Sequence, residues 1–183
     1  MKKMVDESKA SRLVNCGMII LVTAAYKDKS TITPCAWYLP LSKKPPSVGV
    51  ALAKSHFSSE LIKKSQEFII NIPHWSLLEK VIVCGSVSGR QVDKFKEAHL
   101  TPQKAHSLVK TPKVDECVGN IECSLWDIKE VGDHYLFLGE VIYAEAEEDF
   151  FINDMWDTQR GDFIFHLGSR FFFKSSPSIE ARK

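Results

Sequence analysis

Between Cys84 and Phe95 the chain reads Cys-Gly-Ser-Val-Ser-Gly-Arg-Gln-Val-Asp-Lys-Phe. Gly85 and Gly89 let a ligand come close to the backbone, Ser86 and Ser88 can donate hydrogen bonds, and Lys94 can neutralise a phosphate. The same residues also describe a plainer element: a helix ending at Gly85, a polar turn, and a second helix after Gly89. A second cluster, Lys54-Ser55-His56-Phe57-Ser58-Ser59, sets a lysine, a histidine and three hydroxyls directly after an apolar run. Ser58 or its neighbour can cap a helix there, with Leu61 and Ile62 facing inward, and the free N–H groups of a helix start attract anions. A third stretch, Cys35-Ala36-Trp37-Tyr38, is apolar and aromatic; it can line a flat ligand or turn a sheet corner.

Other chemistries find little footing. The six histidines lack the i,i+4 or C-x-x-C companions of metal sites, so no metal centre is expected. A G-x-S-x-G elbow, a Walker loop and a G-x-G-x-x-G fingerprint are all absent from the sequence. Cys84 follows Leu77-Leu78 and Val81-Ile82-Val83 and has no histidine partner readable from sequence. It is therefore expected to pack, or to touch a ligand passively, and not to act as a nucleophile.

These clusters need strands and short helices to hold them. Gly17 to Tyr26 is β-branched and apolar, and a polar turn at 27–30 leads into a return run at 31–40. Pro34 and Pro40 make that run a bulged or edge segment. Lys43-Lys44-Pro45-Pro46 is a stiff connector to a third strand at 47–53, and Glu67 to Pro73 is a fourth. Apolar residues at 77, 78, 81 and 82 have helical spacing, and 91–98 reads as a further short helix with Lys94 about one turn in. Residues 99–119, with Pro102 and Pro112, are expected to wrap the barrel or a partner subunit. Ile121 to Ile128 alternates as a half-buried strand, Gly132-Asp133 turns, and His134 to Ala146 forms a long strand. Two short aromatic strands between Asp162 and Phe173, kinked at Gly168, complete a mainly β antiparallel barrel with helical insertions.

Length and composition set the class. The 183 residues fit one domain, 1–183, with 1–12 frayed and 150–183 an extension packing on the barrel or on a dimer partner. With 44% hydrophobic residues, 26% charged residues and a net charge of +1, the chain is expected to be globular and not to bind nucleic acid. No apolar run approaches the roughly 20 residues of a membrane span, and the N-terminus turns polar where a signal peptide would be apolar. A cytoplasmic protein is expected, and its five cysteines, odd in number and without a C-x-x-C pair, are expected to be free thiols.

The ordered set of stretches resembles the flavin reductase-like family of FMN-binding split barrels, particularly its flavoredoxin-like members. The resemblance runs from Met18 to Val141. It is carried by Ile19-Leu21-Val22-Thr23, Pro45-Pro46, His56-Phe57-Ser58 with Glu60-Leu61-Ile62, Glu67 to Asn71, Ser86 to Arg90 with Asp93-Lys94-Phe95, and Gly132-Asp133-His134 leading to Phe137-Leu138-Gly139-Glu140-Val141. It implies that Ala36, Trp37 and Tyr38 face the isoalloxazine ring of FMN. Ser55, His56 and Ser58 would hold the ribityl phosphate, Ser86, Ser88 and Gly89 would close over the phosphate or ribityl chain, and Lys94 would compensate charge. Thr31 and Thr33 stand where relatives commonly show Asn, and Ser58 where Thr is frequent. The resemblance further implies a homodimer with FMN near the interface. Its activity would be an FMN-dependent oxidoreductase fed by NAD(P)H or another reduced carrier, or an FMN electron-transfer protein without NAD(P)H activity, the flavin carrying the chemistry and no residue being catalytic.

Overall fold

The computed structural model describes residues 1–15 and 17–179. Cys16 and the last four residues of the tail lie outside them, so the free-thiol expectation is met at Cys35, Cys84, Cys117 and Cys123.

Strands β1 (Ile20–Tyr26) and β2 (Lys29–Cys35) form a first hairpin, and β3 (Tyr38–Lys43) and β4 (Pro46–Ala53) a second. Helix α1 (Phe57–Ser65) leads into β5 (Glu67–Ile72), followed by α2 (Leu78–Ser86) and the short α3 (Lys94–Glu97). A strap over 99–118 contains two-residue strands β6 (Pro102–Gln103) and β7 (Lys113–Val114). The long strands β8 (Gly119–Val131) and β9 (His134–Ala146) come next, then the small hairpins β10 (Phe151–Ile152) with β11 (Met155–Trp156) and β12 (Ile164–Gly168) with β13 (Phe171–Lys174).

Seven strands make one antiparallel sheet in the order β2-β1-β5-β8-β9-β4-β3. The β8–β9 hairpin joins its halves: Gly119 to Ser124 pair with β5, while His134 to Glu140 pair with β4. Register shifts at Glu122/Cys123 and Leu125/Asp127 bend the hairpin between those two partners. Bulges add local twist, and here they curl the sheet into a split barrel whose edges are β2 and β3. The interior holds Ile20, Val22, Ala24, Val50, Phe68, Ile70 and Phe137. The opposite face of β1 and β2, with Leu21 and Ile32, is covered by Val81 and Cys84 of α2, Phe95 of α3 and Val114 of the strap. Strands β1 and β5 are thus buried on both faces, which is why they read as continuous apolar runs instead of alternating.

Several expectations change. Pro34 sits inside a regular strand, tolerated because β2 is an edge; the bulge falls between Pro40 and Ser42 instead. Residues 38–43 form a strand of their own, so the Lys43–Pro46 connector is a hairpin turn. Helix α2 runs through Gly85 to Ser86, with Val87 as its C-cap, and Gly85 has no left-handed φ that would end the helix there. The helix expected at 91–98 shrinks to four residues, and Lys94 is its first residue, after the N-cap Asp93. Residues Glu7–Leu13, expected to fray, form an exposed 3-10 helix capped by Asp6.

The strap lies on its own barrel, pinned by buried side chains that satisfy its backbone. Glu122, fully buried, accepts from the N–H groups of His106, Ser107 and Leu108 at 2.6, 2.8 and 2.9 Å. Glu67 accepts from Lys110 and Thr111, and Asn71 from Val114. Buried donors without such partners would cost about 1–3 kcal/mol each. The tail also packs on its own barrel: Ile19 N–H donates to Ile164 at 2.7 Å, and Phe163 and Phe165 bridge to His74 and Met18.

Candidate functional site

Four pieces of chain converge outside the end of β2. They are Thr31, Thr33 and Pro34 of β2, the start of α1 with Ser55, His56 and Phe57, the last turn of α2 with Cys84, Gly85 and Ser86, and the loop Val87-Ser88-Gly89 with Lys94. Together they enclose a cleft of about 320 Å³. The α1 N-cap, His56, makes no side-chain capping bond, so the first-turn N–H groups there are not covered by their own cap. Arg90 ties the loop to α1, pairing with Glu60 and lying 4.9 Å from the Phe57 ring centre. Hydrogen bonds from Lys64 and then Arg90 pull the Glu60 carboxyl down to about 2.

Gly89 is required by close approach. A Cβ there would stand 2.1 Å from Thr31 Oγ1 and 2.9 Å from Thr31 Cβ. Thr31 is buried, and its hydroxyl has no hydrogen-bond partner. An orphaned buried hydroxyl in the wall of a polar cleft suits a ligand with oxygen acceptors.

Lys94 dominates the electrostatics. It is 7% exposed, its Nζ donates to the Cys84 carbonyl at 2.6 Å, and among the described residues no carboxylate pairs with it. Burial pulls its pKa below the ordinary lysine value, with Cys84 acting the other way. His56 is also shifted down, first by burial and then by the charges of Lys94 and His134. Burial pushes the Cys84 thiol up to about 11, against the pull of Lys94, so it is no thiolate nucleophile near neutral pH. The uncovered N–H groups, hydroxyls and one uncompensated ammonium can together hold a phosphate.

Six of the ten residues singled out from sequence line this cleft: Ser55, His56, Ser86, Ser88, Gly89 and Lys94. Ser58 lies beneath it, 0% exposed, accepting from Thr33 Oγ1 at 2.9 Å; it is not a cap, and its reach to a ligand runs through Thr33. Ala36 and Trp37 line an adjoining lobe of about 250 Å³ with His56 and His134, and the Trp37 ring lies 5.0 Å from that of His134. Tyr38 turns elsewhere, into an apolar cavity with Met18, Ile20, Val48 and Trp156, where burial and then Cys35 push its phenol up to about 12. Thr31, Thr33, Pro34 and Phe57 line the cleft without having been singled out as ligands. The threonines' signal was the period of two at 31 and 33 on an edge strand, which puts both hydroxyls on one face; nothing in the sequence singled out Pro34 or Phe57 as ligands.

The family of the Flavin reductase like domain matches residues 12–161. An uncharacterized protein of Pyrococcus abyssi is 37% identical over 131 residues, covering 71% of this chain and 74% of its own. Flavoredoxin from Methanosarcina acetivorans superposes with a TM-score of 0.87 at 26% identity, over 99% of this chain and 95% of its own. An FMN-binding protein of Thermus thermophilus, with bound 1-cyclohex-2-enone, has the same fold, with a TM-score of 0.87 at 21% identity over 100% of this chain and 99% of its own. No described helix is long and apolar enough to cross a membrane. By the extent of that match, the chain belongs to the flavin reductase-like domain family.

Proposed function

We propose that the chain binds FMN and works as an FMN-dependent oxidoreductase, passing electrons from a reduced donor such as NAD(P)H to an acceptor. The observation that carries this reading is Lys94, a buried ammonium without a described acidic partner, in a cleft whose wall holds the unpartnered Thr31 hydroxyl. FMN differs from riboflavin by a phosphate, and these residues fit that phosphate. The flavin, when bound, supplies the hydride and single-electron chemistry of its ring system. The chain's part is to hold it. Lys94 compensates phosphate charge; Ser55, Ser86, Ser88 and Thr31 offer hydroxyls; Gly89 lets the loop close onto Thr31 and Phe57; and the start of α1 offers N–H groups. Ala36 and Trp37 border the lobe next to that cleft and suit a ring. His56, its pKa lowered by burial and by Lys94, stands between the two lobes, where its ring can hydrogen-bond.

The reading includes a homodimer with FMN near the interface, supported by Leu39 and Leu41 standing exposed on the edge strand β3. A second reading, electron transfer without NAD(P)H activity, draws support from the flavoredoxin likeness. Anaerobic addition of NADH and NADPH to the FMN-loaded protein decides. Bleaching of the flavin band by either supports the reductase; tightly held FMN that stays yellow supports the carrier. A protein that takes up no FMN contradicts both.

A further inference from the structure

The phosphate cleft is one lobe of a larger depression. A second lobe of about 580 Å³ shares Pro34, Gly85 and Ser86 with it, and shares Ala36 and His166 with the Trp37 lobe. Its walls are apolar, from Ile19, Ala36, Val81, Ile82 and Phe172, and its rim is the β12–β13 turn with His166, Ser169 and Arg170. That turn is held in an unusual shape. Gly168 and Ser169 both have left-handed φ, +115° and +54°, and His166 Nε2 lies 3.1 Å from the Ser169 carbonyl as its donor. A Cβ on Gly168 would collide with the guanidinium of Arg12, so two arginines flank the turn. Among the described residues neither Arg12 nor Arg170 has a carboxylate partner, whereas Arg90 and Arg160 do.

We infer that this lobe receives the second substrate of the flavin, and that the substrate has a flat apolar body and one anionic group, phosphate or carboxylate, bound by Arg170. The inference rests on the FMN reading given above. The volume suits a ring system with a substituent. A neutral apolar compound would leave the guanidinium without use, and a polyanion would gain nothing from five apolar wall residues. Arg170 offers the planar fork that matches either oxyanion in two-point fashion. The charge of Lys94 belongs to the neighbouring lobe, so the two anions have separate cations.

Calorimetric titration, with and without FMN, tests this on wild type, Arg170→Ala and Arg170→Lys. One pair of ligands is 4-hydroxybenzoate against 4-hydroxybenzyl alcohol, reading the carboxylate; the other is phenyl phosphate against phenol, reading the phosphate. Wild type is expected to favour the anionic member of at least one pair about tenfold, the size of one charge-assisted contact. Arg170→Ala should bring that preference close to unity without changing FMN affinity or binding of the neutral member, and Arg170→Lys should keep part of it. The pair that shows the preference identifies the anion. Equal binding within both pairs, or a preference untouched in Arg170→Ala, overturns the inference. FMN affinity measured on the same preparations is a separate result: its failure overturns the cofactor reading, while the titrations without FMN still decide the role of Arg170.

Discussion

Replacing Lys94 with methionine separates ligand binding from folding more cleanly than any other change in the cleft. Methionine keeps the length and apolar stem while removing the charge. Without ligand, Lys94 is buried, lacks a described acid and makes one hydrogen bond, to the Cys84 carbonyl. Burial already disfavours its charged form, so Lys94→Met removes a desolvation cost together with one hydrogen bond worth roughly 1 kcal/mol. Stability without FMN should therefore change by no more than about 1 kcal/mol in either direction. With FMN, the variant loses a charge-assisted contact worth about 1.5–3 kcal/mol, which weakens binding roughly tenfold to a hundredfold. Urea denaturation of the apoprotein gives the first quantity, and quenching of FMN fluorescence on titration gives the second. An FMN affinity within twofold of wild type would refute the assignment of Lys94 to the phosphate. A large loss of apoprotein stability would show that the ammonium is structural.

Two further predictions concern the cleft and the buried thiols. Gly89→Ala forces a Cβ into Thr31, and either the loop or β2 must move. Such overpacking costs about 1–3 kcal/mol, read in urea denaturation, and FMN binding should weaken with it; unchanged stability and affinity would show that the loop is slack. Burial raises the thiols of Cys35 and Cys84 to about 11 and of Cys123 to about 12, from an ordinary 9.0. A thiol with a raised folded pKa stabilises fully below its unfolded value, and that contribution is lost as pH rises through the folded one. Stability should thus fall between about pH 9 and pH 12, and site-resolved alkylation of Cys84 at pH 8 should be negligible in the folded protein. Rapid Cys84 labelling at pH 8 would contradict its burial.

The main strands other than β3 were legible because each obeys a simple period or a two-sided apolar run. The strand from His134 to Ala146 has the bounds its sequence suggests, and the phosphate cleft emerges from two stretches whose small, hydroxyl and basic residues are close in sequence. What was not legible depends on long-range geometry. Tyr38 follows Trp37 by one residue, yet β3 begins there and pairs with β4, which sends the ring into a different cavity. Ser58 sits where a hydroxyl often caps, but α1 starts two residues earlier than that role needs, with His56 as its N-cap, and the side chain turns inward onto Thr33. Gly85 has the composition of a helix end and remains helical because nothing there demands a left-handed residue. The approach of Arg12, from the N-terminal 3-10 helix, to Gly168 in the β12–β13 turn brings distant parts of the chain together, which no local pattern encodes.

The central claim is that the cleft around Lys94 is built for the phosphate of a flavin, and the comparison of FMN with riboflavin under identical conditions tests it most directly. Riboflavin presents the same ring and ribityl chain without the phosphate, so the ratio of the two dissociation constants isolates the contribution of the cleft. Two or more charge-assisted contacts predict that FMN binds at least about a hundredfold more tightly. Equal affinities, or binding of neither, would contradict the claim.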